Sequence, residues 1–239
     1  FQTRMRSRHA GGMLYCPVCK SEVKGFLPHG NPLRENAVCP VCESKACHRL
    51  CWAFFSQNTD LFHNGGMFLH VAPEPELSRW LQRKCRCIGM HYQSGDIRDQ
   101  AGPLDIESTG LPSGSIDVLF ACHVLNMVCD DARAMREISR ILKPGGTAVL
   151  PVPVSKATIN MREADPESEE LERLAMFGDP NMYRAYTACE YSKRLSNAGL
   201  LSTVFTETDI SVDGSNRWMV ADESIQIARH LSADAIVVP

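Results

Sequence analysis

Leu111-Pro-Ser-Gly-Ser-Ile-Asp-Val-Leu-Phe-Ala-Cys-His-Val-Leu125, then Arg136-Glu-Ile-Ser-Arg-Ile-Leu-Lys-Pro-Gly-Gly146 and Thr147-Ala-Val-Leu-Pro-Val-Pro-Val154, decide the fold of this chain. Ile116–Val124 is apolar apart from Asp117 and His123, the pattern of a strand buried on both faces. Met135, Ile138 and Leu142 recur at helical spacing, so the spacing predicts an amphipathic helix over Asp131–Leu142. Lys143-Pro-Gly-Gly146 stops that helix and turns the chain into a second apolar run, Thr147–Val154. A strand, a crossover helix and a strand make one unit of a parallel sheet.

The same alternation extends in both directions. Upstream, Met67–Ala72 reads as the first strand, followed by a helix with Pro75 in its first turn, Leu77, Trp80 and Leu81 on one face, and Arg83 and Lys84 near its end. Ile88–Gln93 is a second strand ending at Gly95-Asp96, and a third ends near Asp105-Ile106. Downstream, Thr187-Ala-Cys-Glu190 is a capping box opening a helix that Gly199 stops, and strands Leu200–Thr206 and Ala235–Val238 close the chain. The expected body is an α/β, doubly wound, Rossmann-like sheet of seven strands over residues 61–239.

Composition bounds the function. With 44% hydrophobic and 22% charged residues in 239, intrinsic disorder as the main state is excluded. The longest mainly apolar stretch, Ile116–Val128, is interrupted by Asp117, His123 and Asn126 and falls short of the roughly 20 residues that span a bilayer, so no membrane is expected. The net charge of -3 is uneven: residues 1–50 hold eight Lys/Arg against three acids, and the remainder 17 against 25. A basic head favours an anionic partner such as nucleic acid, but a solvated terminus around a metal site is the simpler reading. The chain starts at Phe1, which leaves room for a removed targeting segment.

Cys16-Pro-Val-Cys19 and Cys39-Pro-Val-Cys42 are two copies of one tetrapeptide, 19 residues apart. Two residues between cysteines let both thiolates of a tight turn face one ion, and two such knuckles complete the closed, tetrahedral coordination of structural zinc. A redox pair is expected once, beside a βαβ unit, and a catalytic ion needs an open position that four cysteines do not leave. Cys16, Cys19, Cys39 and Cys42 are therefore the expected metal ligands, in a zinc-ribbon module over residues 1–60. Cys47, His48 and Cys51 lie in a helical stretch, Cys47–Phe55, and read as packing beside Leu50, Phe54 and Phe55. Eleven cysteines without a disulfide pattern point to the cytoplasm or another reducing compartment.

The Leu111–Leu125 entry and exit, the Lys143-Pro-Gly-Gly146 turn, the His70-Val-Ala-Pro-Glu74 strand exit and Phe177-Gly-Asp-Pro180 with Arg184 and Tyr186 resemble one family. From about Leu69 to Leu201 the chain resembles the class I S-adenosylmethionine-dependent methyltransferases, in the subgroup that carries an N-terminal zinc ribbon. The resemblance implies S-adenosylmethionine as cofactor beside the Zn2+ of the ribbon. It implies Ala72 and Glu74 near the methionine part, Asp96 for the ribose hydroxyls, Asp105 and Ile106 for the adenine, and Cys122 at the exit of the central strand. His123 is the candidate catalytic residue, as general base or acceptor contact, and Arg184 and Tyr186 are candidates for orienting the acceptor.

Two departures from the family pattern stand out. The first loop reads His-Val-Ala-Pro-Glu-Pro-Glu-Leu, without the usual glycines, and Pro73 and Pro75 have no N–H to offer a ligand. Asn126-Met127 replaces the usual Glu-His, and Met182 stands where a histidine is expected. The acidic body suits a small-molecule methyl acceptor. An RNA or protein methyltransferase using the basic ribbon, and a non-enzymatic scaffold with a degenerate cofactor loop, are the alternatives.

Overall fold

A computed structural model describes residues 11–30, 33–100, 103–154, 160–211, 215–220 and 223–230. The chain divides into two compact units: Phe1–Asp60 with Glu74–Arg83 and Phe205–Ile225, and Leu61–Pro73 with Lys84–Val204 and Gln226–Pro239. The first unit thus includes two later segments that the sequence reading assigns to the body.

The first unit begins with two short antiparallel pairs, β1 (Leu14–Cys16) with β2 (Ser21–Val23) and β3 (Leu27–His29) with β4 (Arg34–Val38). Each cysteine knuckle is the turn beside one of these pairs. Helix α1 (Ala46–Gln57) follows, with Leu50, Cys51, Ala53 and Phe55 fully buried. Cys16, Val18, Val23, Phe26, Cys39 and Val41 form a small core against which Trp52 and Met219 pack. All three tryptophans lie in this unit, Trp52 with its ring centroid 5.8 Å from Trp80 and 5.6 Å from Trp218.

Arg49, in α1, is fully buried and opposes no carboxylate in its hydrogen bonding. Its Nε donates to the Trp218 carbonyl at 2.6 Å, Nη1 to Ala37 and Ser44, and Nη2 to Asn36 and Met219. All five N–H groups of a guanidinium are thereby matched to backbone carbonyls. The plane also lies over the Phe26 ring, 3.9 Å from its centroid.

The second unit is built on one mixed sheet. Its strands are β5 (Met67–Val71), β6 (His91–Gly95), β7 (Ile116–Ala121), β8 (Leu142–Val149), β11 (Leu200–Thr206) and β12 (Ser224–His230), in the order β11-β12-β8-β7-β5-β6. The strands β6, β5, β7 and β8 are parallel and β12 runs antiparallel to β8. Helices α2 (Pro75–Ile88) and α3 (Asp131–Ile141) are the crossovers, and α5 (Ala188–Asn197) precedes β11. Thr187 caps α5 by accepting from the Glu190 N–H, as its sequence predicts. One sheet face, with Leu69, Val71, Leu119, Ala121, Ala148 and Leu150, packs on Met135, Ile138, Tyr191 and Leu195. The other face is aromatic: Phe62, Phe68 and Tyr92 stack in succession and His70 lies on Phe120.

Two expectations change, and a third falls on residues that are not described. Among the described residues the sheet has six strands, because the segment ending at Asp105-Ile106 is irregular chain and turn. Leu104 folds back onto the end of β6: its N–H donates to the Asp96 carbonyl, and a Cβ at Gly95 would lie 2.6 Å from the Leu104 Cβ. The expected strand Ala235–Val238 lies outside the described residues, and the antiparallel strand is Ser224–His230. The Lys143–Gly146 turn sits inside β8: Ile116 pairs with Leu142 and Val118 with Thr147, so these four residues bulge out. Gly145 has φ +79°, and a Cβ at Gly146 would lie 2.9 Å from the Lys143 carbonyl oxygen, so both positions call for glycine. No helix among the described residues is long and apolar enough to cross a membrane.

The Arg49 bonding leads to a first expectation. Arg49→Met removes five donors from buried carbonyls, and Arg49→Lys keeps the charge without the fork, so both variants lose stability, by roughly 2–4 kcal/mol. Chemical denaturation checks it, and a Lys variant as stable as the wild type would show that the fork contributes nothing.

Candidate functional site

In the first unit the four cysteines of the two knuckles converge. Their Sγ atoms all lie within 4.8 Å of one another, with Cys16–Cys42 at 3.7 Å and Cys19–Cys39 at 3.8 Å. A tetrahedral ion with metal–sulfur bonds near 2.3 Å holds its ligands about 3.8 Å apart, and a disulfide would need about 2.05 Å. The set therefore matches a metal rather than a bridge. Ser44 Oγ lies 3.2 Å from both Cys16 Sγ and Cys42 Sγ, and the Val41 N–H points at Cys39 Sγ at 3.4 Å. These outer donors are the kind that stabilise thiolate charge. Ser44 has no spacing rule of its own, so the sequence reading misses it.

In the second unit, the strand order reverses between β5 and β7, since the chain goes from β5 to β6 on one side and then to β7 on the other. A crevice outside the carboxyl ends of these strands is where open α/β sheets bind ligands. Two residues at that edge have left-handed backbone: Ala72 (φ +50°) after β5 and His123 (φ +56°) after β7. Each donates its N–H to the neighbouring strand's exit, Ala72 to the Gly95 carbonyl at 2.8 Å and His123 to the Pro151 carbonyl at 2.8 Å. Non-glycine residues held at positive φ are costly and cluster at functional edges. Cys122 is buried and the His123 side chain is half-buried beside it.

Asp96 follows β6 directly. Arg98 donates to it from its backbone N–H and from Nε, both at 2.9 Å, and from Nη2 at 2.5 Å, and this hydrogen bonding holds the carboxyl below its ordinary range. Asp105 accepts the Glu107 N–H at 2.8 Å in a tight local turn, and Ile106 next to it is buried. That loop is pinned to α3: Thr109 donates twice to Glu137, Arg133 Nε donates to the Glu107 carbonyl, and the Asp130 N–H donates to Glu107. The backbone therefore fixes where Asp105 and Ile106 stand.

Arg184 and Tyr186 have a different place from the one expected. Both are buried, at 2% and 0% exposure, and their polar groups are spent inside the protein. Arg184 donates to the carbonyls of Leu125, Val128 and Cys129 and to Glu163, while the Tyr186 hydroxyl donates to Asp131 at 2.6 Å. Burial and the Asp131 charge push the Tyr186 hydroxyl up, so it stays a donor. Arg194 joins Asp131 and Glu163 at 2.7 Å each. The network clamps a small insert, β9 (Arg162–Glu163), α4 (Glu170–Phe177) and β10 (Arg184–Ala185), onto the loop that follows His123. The Tyr183 and Arg184 N–H groups both donate to the Asn126 carbonyl in that loop. Arg184 and Tyr186 thus tie the insert to this loop, and Asp131, Glu163 and Arg194 are partners that carry no recognisable sequence pattern.

Glu74, expected with the cofactor residues, belongs to the first unit, where its carboxylate lies 3.6 Å from His48 Nε2.

Residues 64–150 match the family model described as a methyltransferase domain. The fold is shared with a Galdieria sulphuraria protein described as a sarcosine dimethylglycine methyltransferase, at 15% identity and TM-score 0.53, covering 76% of this chain and 85% of that one. It is shared with the [4+2]-cyclase SpnF at 14% identity and TM-score 0.53, covering 77% of this chain and 81% of that one. It is also shared with the Burkholderia thailandensis 1,6-didemethyltoxoflavin-N1-methyltransferase, bound to 1,6-didemethyltoxoflavin and S-adenosylhomocysteine, at 13% identity and TM-score 0.51, covering 78% and 79% of the two chains. Residues 64–150 thus match a methyltransferase domain, and the α/β body shares the fold of these proteins, while the other unit carries a four-cysteine module.

The pinning of the Asp105 loop has a measurable pH signature. Arg140 first, outweighing burial, and then Thr109 hold Glu137 down to about 2. A depressed acid contributes stability above its unfolded pKa of about 4.3 and loses it as pH falls toward the folded value. The stability gap between wild type and Glu137→Gln is therefore constant from pH 7 to about 5 and shrinks from about pH 4 toward 2. Denaturant unfolding across that range checks it, and a gap independent of pH would refute the assignment.

Proposed function

We propose that the protein transfers the methyl group of S-adenosylmethionine to a small-molecule acceptor, and that its four cysteines hold a structural Zn2+. The observation that carries the first part is the clamped insert. Arg184 and the Tyr183 and Arg184 N–H groups tie this segment to the loop after His123, beside the edge where an acceptor would meet the cofactor. An insert held at that edge would exclude bulk water and suits a small molecule better than a polymer. The acidic residue balance beyond residue 50 points the same way, since it repels polyanions. The Burkholderia enzyme's bound small heterocycle supports the reading by analogy of fold.

S-adenosylmethionine supplies an electrophilic methyl on a sulfonium centre. The protein's own residues then bind and orient. Asp96 would offer acceptor oxygens to the ribose diol, and Asp105 with the Ile106 backbone would hold the adenine. His123 faces the acceptor, either taking its proton or holding it in line. Ala72 answers the missing glycines: the loop makes the left-handed turn with an alanine at φ +50°. This favours a working cofactor loop over a scaffold that has lost one. The zinc is architectural, because four thiolates close its coordination, and a reducing compartment keeps them available.

Three measurements check this. Calorimetric titration with S-adenosylmethionine gives micromolar binding to the wild type and a loss of about tenfold or more in Asp96→Ala and in Asp105→Ala. His123→Ala binds the cofactor unchanged but lowers kcat by about 10²–10⁴ if it is the base. Full turnover in that variant would leave it no catalytic part. Metal analysis should find one zinc per chain, lost in Cys39→Ser, with a red-shifted tryptophan emission because Trp52 packs on the cysteine core. Emission unchanged after complete zinc removal would contradict a structural ion.

A further inference from the structure

The loop that follows β7 is held in a conformation that its own residues disfavour. His123 has left-handed backbone at φ +56°, a region that is costly for a residue with a Cβ. Further along, Asn126 is 1% exposed, and its side-chain Oδ1 is buried with no donor among the described residues. Such an acceptor forfeits the hydrogen bonds it makes to water in the unfolded chain. Two unfavourable features in one loop persist only where the surroundings over-determine the backbone.

The loop's own bonds do little of that. The Met127 and Val128 N–H groups both donate to the Val124 carbonyl, at 2.8 and 3.2 Å, which closes a single turn. The remaining constraint comes from Arg184 in β10. Its Nη1 donates to the carbonyls of Leu125 at 2.8 Å and Val128 at 2.6 Å, its Nη2 to Cys129 at 2.7 Å, and its backbone N–H to Asn126 at 3.2 Å. One residue thus binds the carbonyls of Leu125, Asn126, Val128 and Cys129. Its Nε donates to Glu163 at 2.9 Å, and Arg194 holds Glu163 in turn at 2.7 Å, so the guanidinium has a fixed orientation. Because the guanidinium is planar, the carbonyls on its two Nη atoms are fixed relative to one another, which the point charge of a lysine does not achieve.

We propose that Arg184 is a positioning residue for the methyl transfer: it keeps this loop in the strained form that sets His123 at the sheet edge, and Glu163 orients its guanidinium. Arg184 is 2% exposed and acts through the loop, without touching cofactor or acceptor. The inference rests on the proposed function only in taking the His123 edge as the place of reaction.

Hydrogen exchange on the full chain, without S-adenosylmethionine, reads the loop directly. In Arg184→Lys, which keeps the charge, the amides of Met127, Val128 and Tyr183 should exchange about tenfold or more faster than in the wild type, while those of β7 keep their rates. The nuclear magnetic resonance signals of the His123 ring should shift in the same variant. Glu163→Gln, the milder change, should loosen the same amides by a smaller factor, and added methylguanidinium should restore their protection in Arg184→Ala. Asn126→Leu, which exchanges the oxygen without a donor for a methyl group of similar size, should slow their exchange. Loop amides and His123 signals unchanged in Arg184→Lys overturn the proposal, as does a loss of protection spread equally over β7, which would make Arg184 a general stabiliser. Faster exchange in Asn126→Leu overturns it too, because the amide would then be holding the loop rather than straining it. S-adenosylmethionine binding is measured separately through Asp96 and Asp105, so failure here leaves that result standing, and failure there leaves the loop measurement intact.

Discussion

A guanidinium taken out of water must find an acceptor for every N–H, since each one left without a partner costs on the order of 1–3 kcal/mol. Two arginines impose this constraint on the two units. Arg49 draws carbonyls from Asn36 and Ala37 at the end of β4, from Ser44 in the second knuckle, and from Trp218 and Met219 in a segment about 170 residues later. The late segment joins the cysteine module because the arginine demands its carbonyls. Arg184 does the same in the sheet unit, drawing Leu125, Val128 and Cys129 toward the insert. In each case backbone carbonyls from distant segments converge on one buried side chain.

That explains which parts of the molecule were readable in the sequence. Strands β5 and β7 are central, and burial on both faces writes a continuous apolar run into them. The cysteine knuckles are readable because one ion dictates both residue type and spacing. Edges and turns are set by contacts distant in the chain. Asp105-Ile106 fails to form a strand because Leu104 packs over Gly95, and nothing local announces that packing. The strand β12 contains Gln226 and Arg229, so it lacks the clear apolar run of its neighbours.

The internal bonding of Arg184 and Tyr186 was hidden from the sequence for the same reason. A charged residue in a segment near a pocket reads as a ligand contact, because sequence shows the charge and hides the acceptors. Carbonyl acceptors belong to every residue type and leave no trace in composition. Asp131, at the start of α3, reads as a helix-terminus acid, yet it accepts from Tyr186 and Arg194 and anchors the insert.

The altered first loop changes how such a site must work. In a glycine-rich loop the backbone itself comes close to a ligand, and its N–H groups are the donors. Here Pro73 and Pro75 have none, and the Ala72 N–H is already given to Gly95. The turn is kept, at the steric cost of an alanine in the left-handed region, with three of its backbone positions closed as donors. Binding energy that a glycine loop draws from backbone must come from side chains on neighbouring strand exits. In the proposed site Asp96, bonded by Arg98, and Asp105, fixed by its own turn and by the α3 contacts, would supply it. A site of that kind depends steeply on two carboxylates.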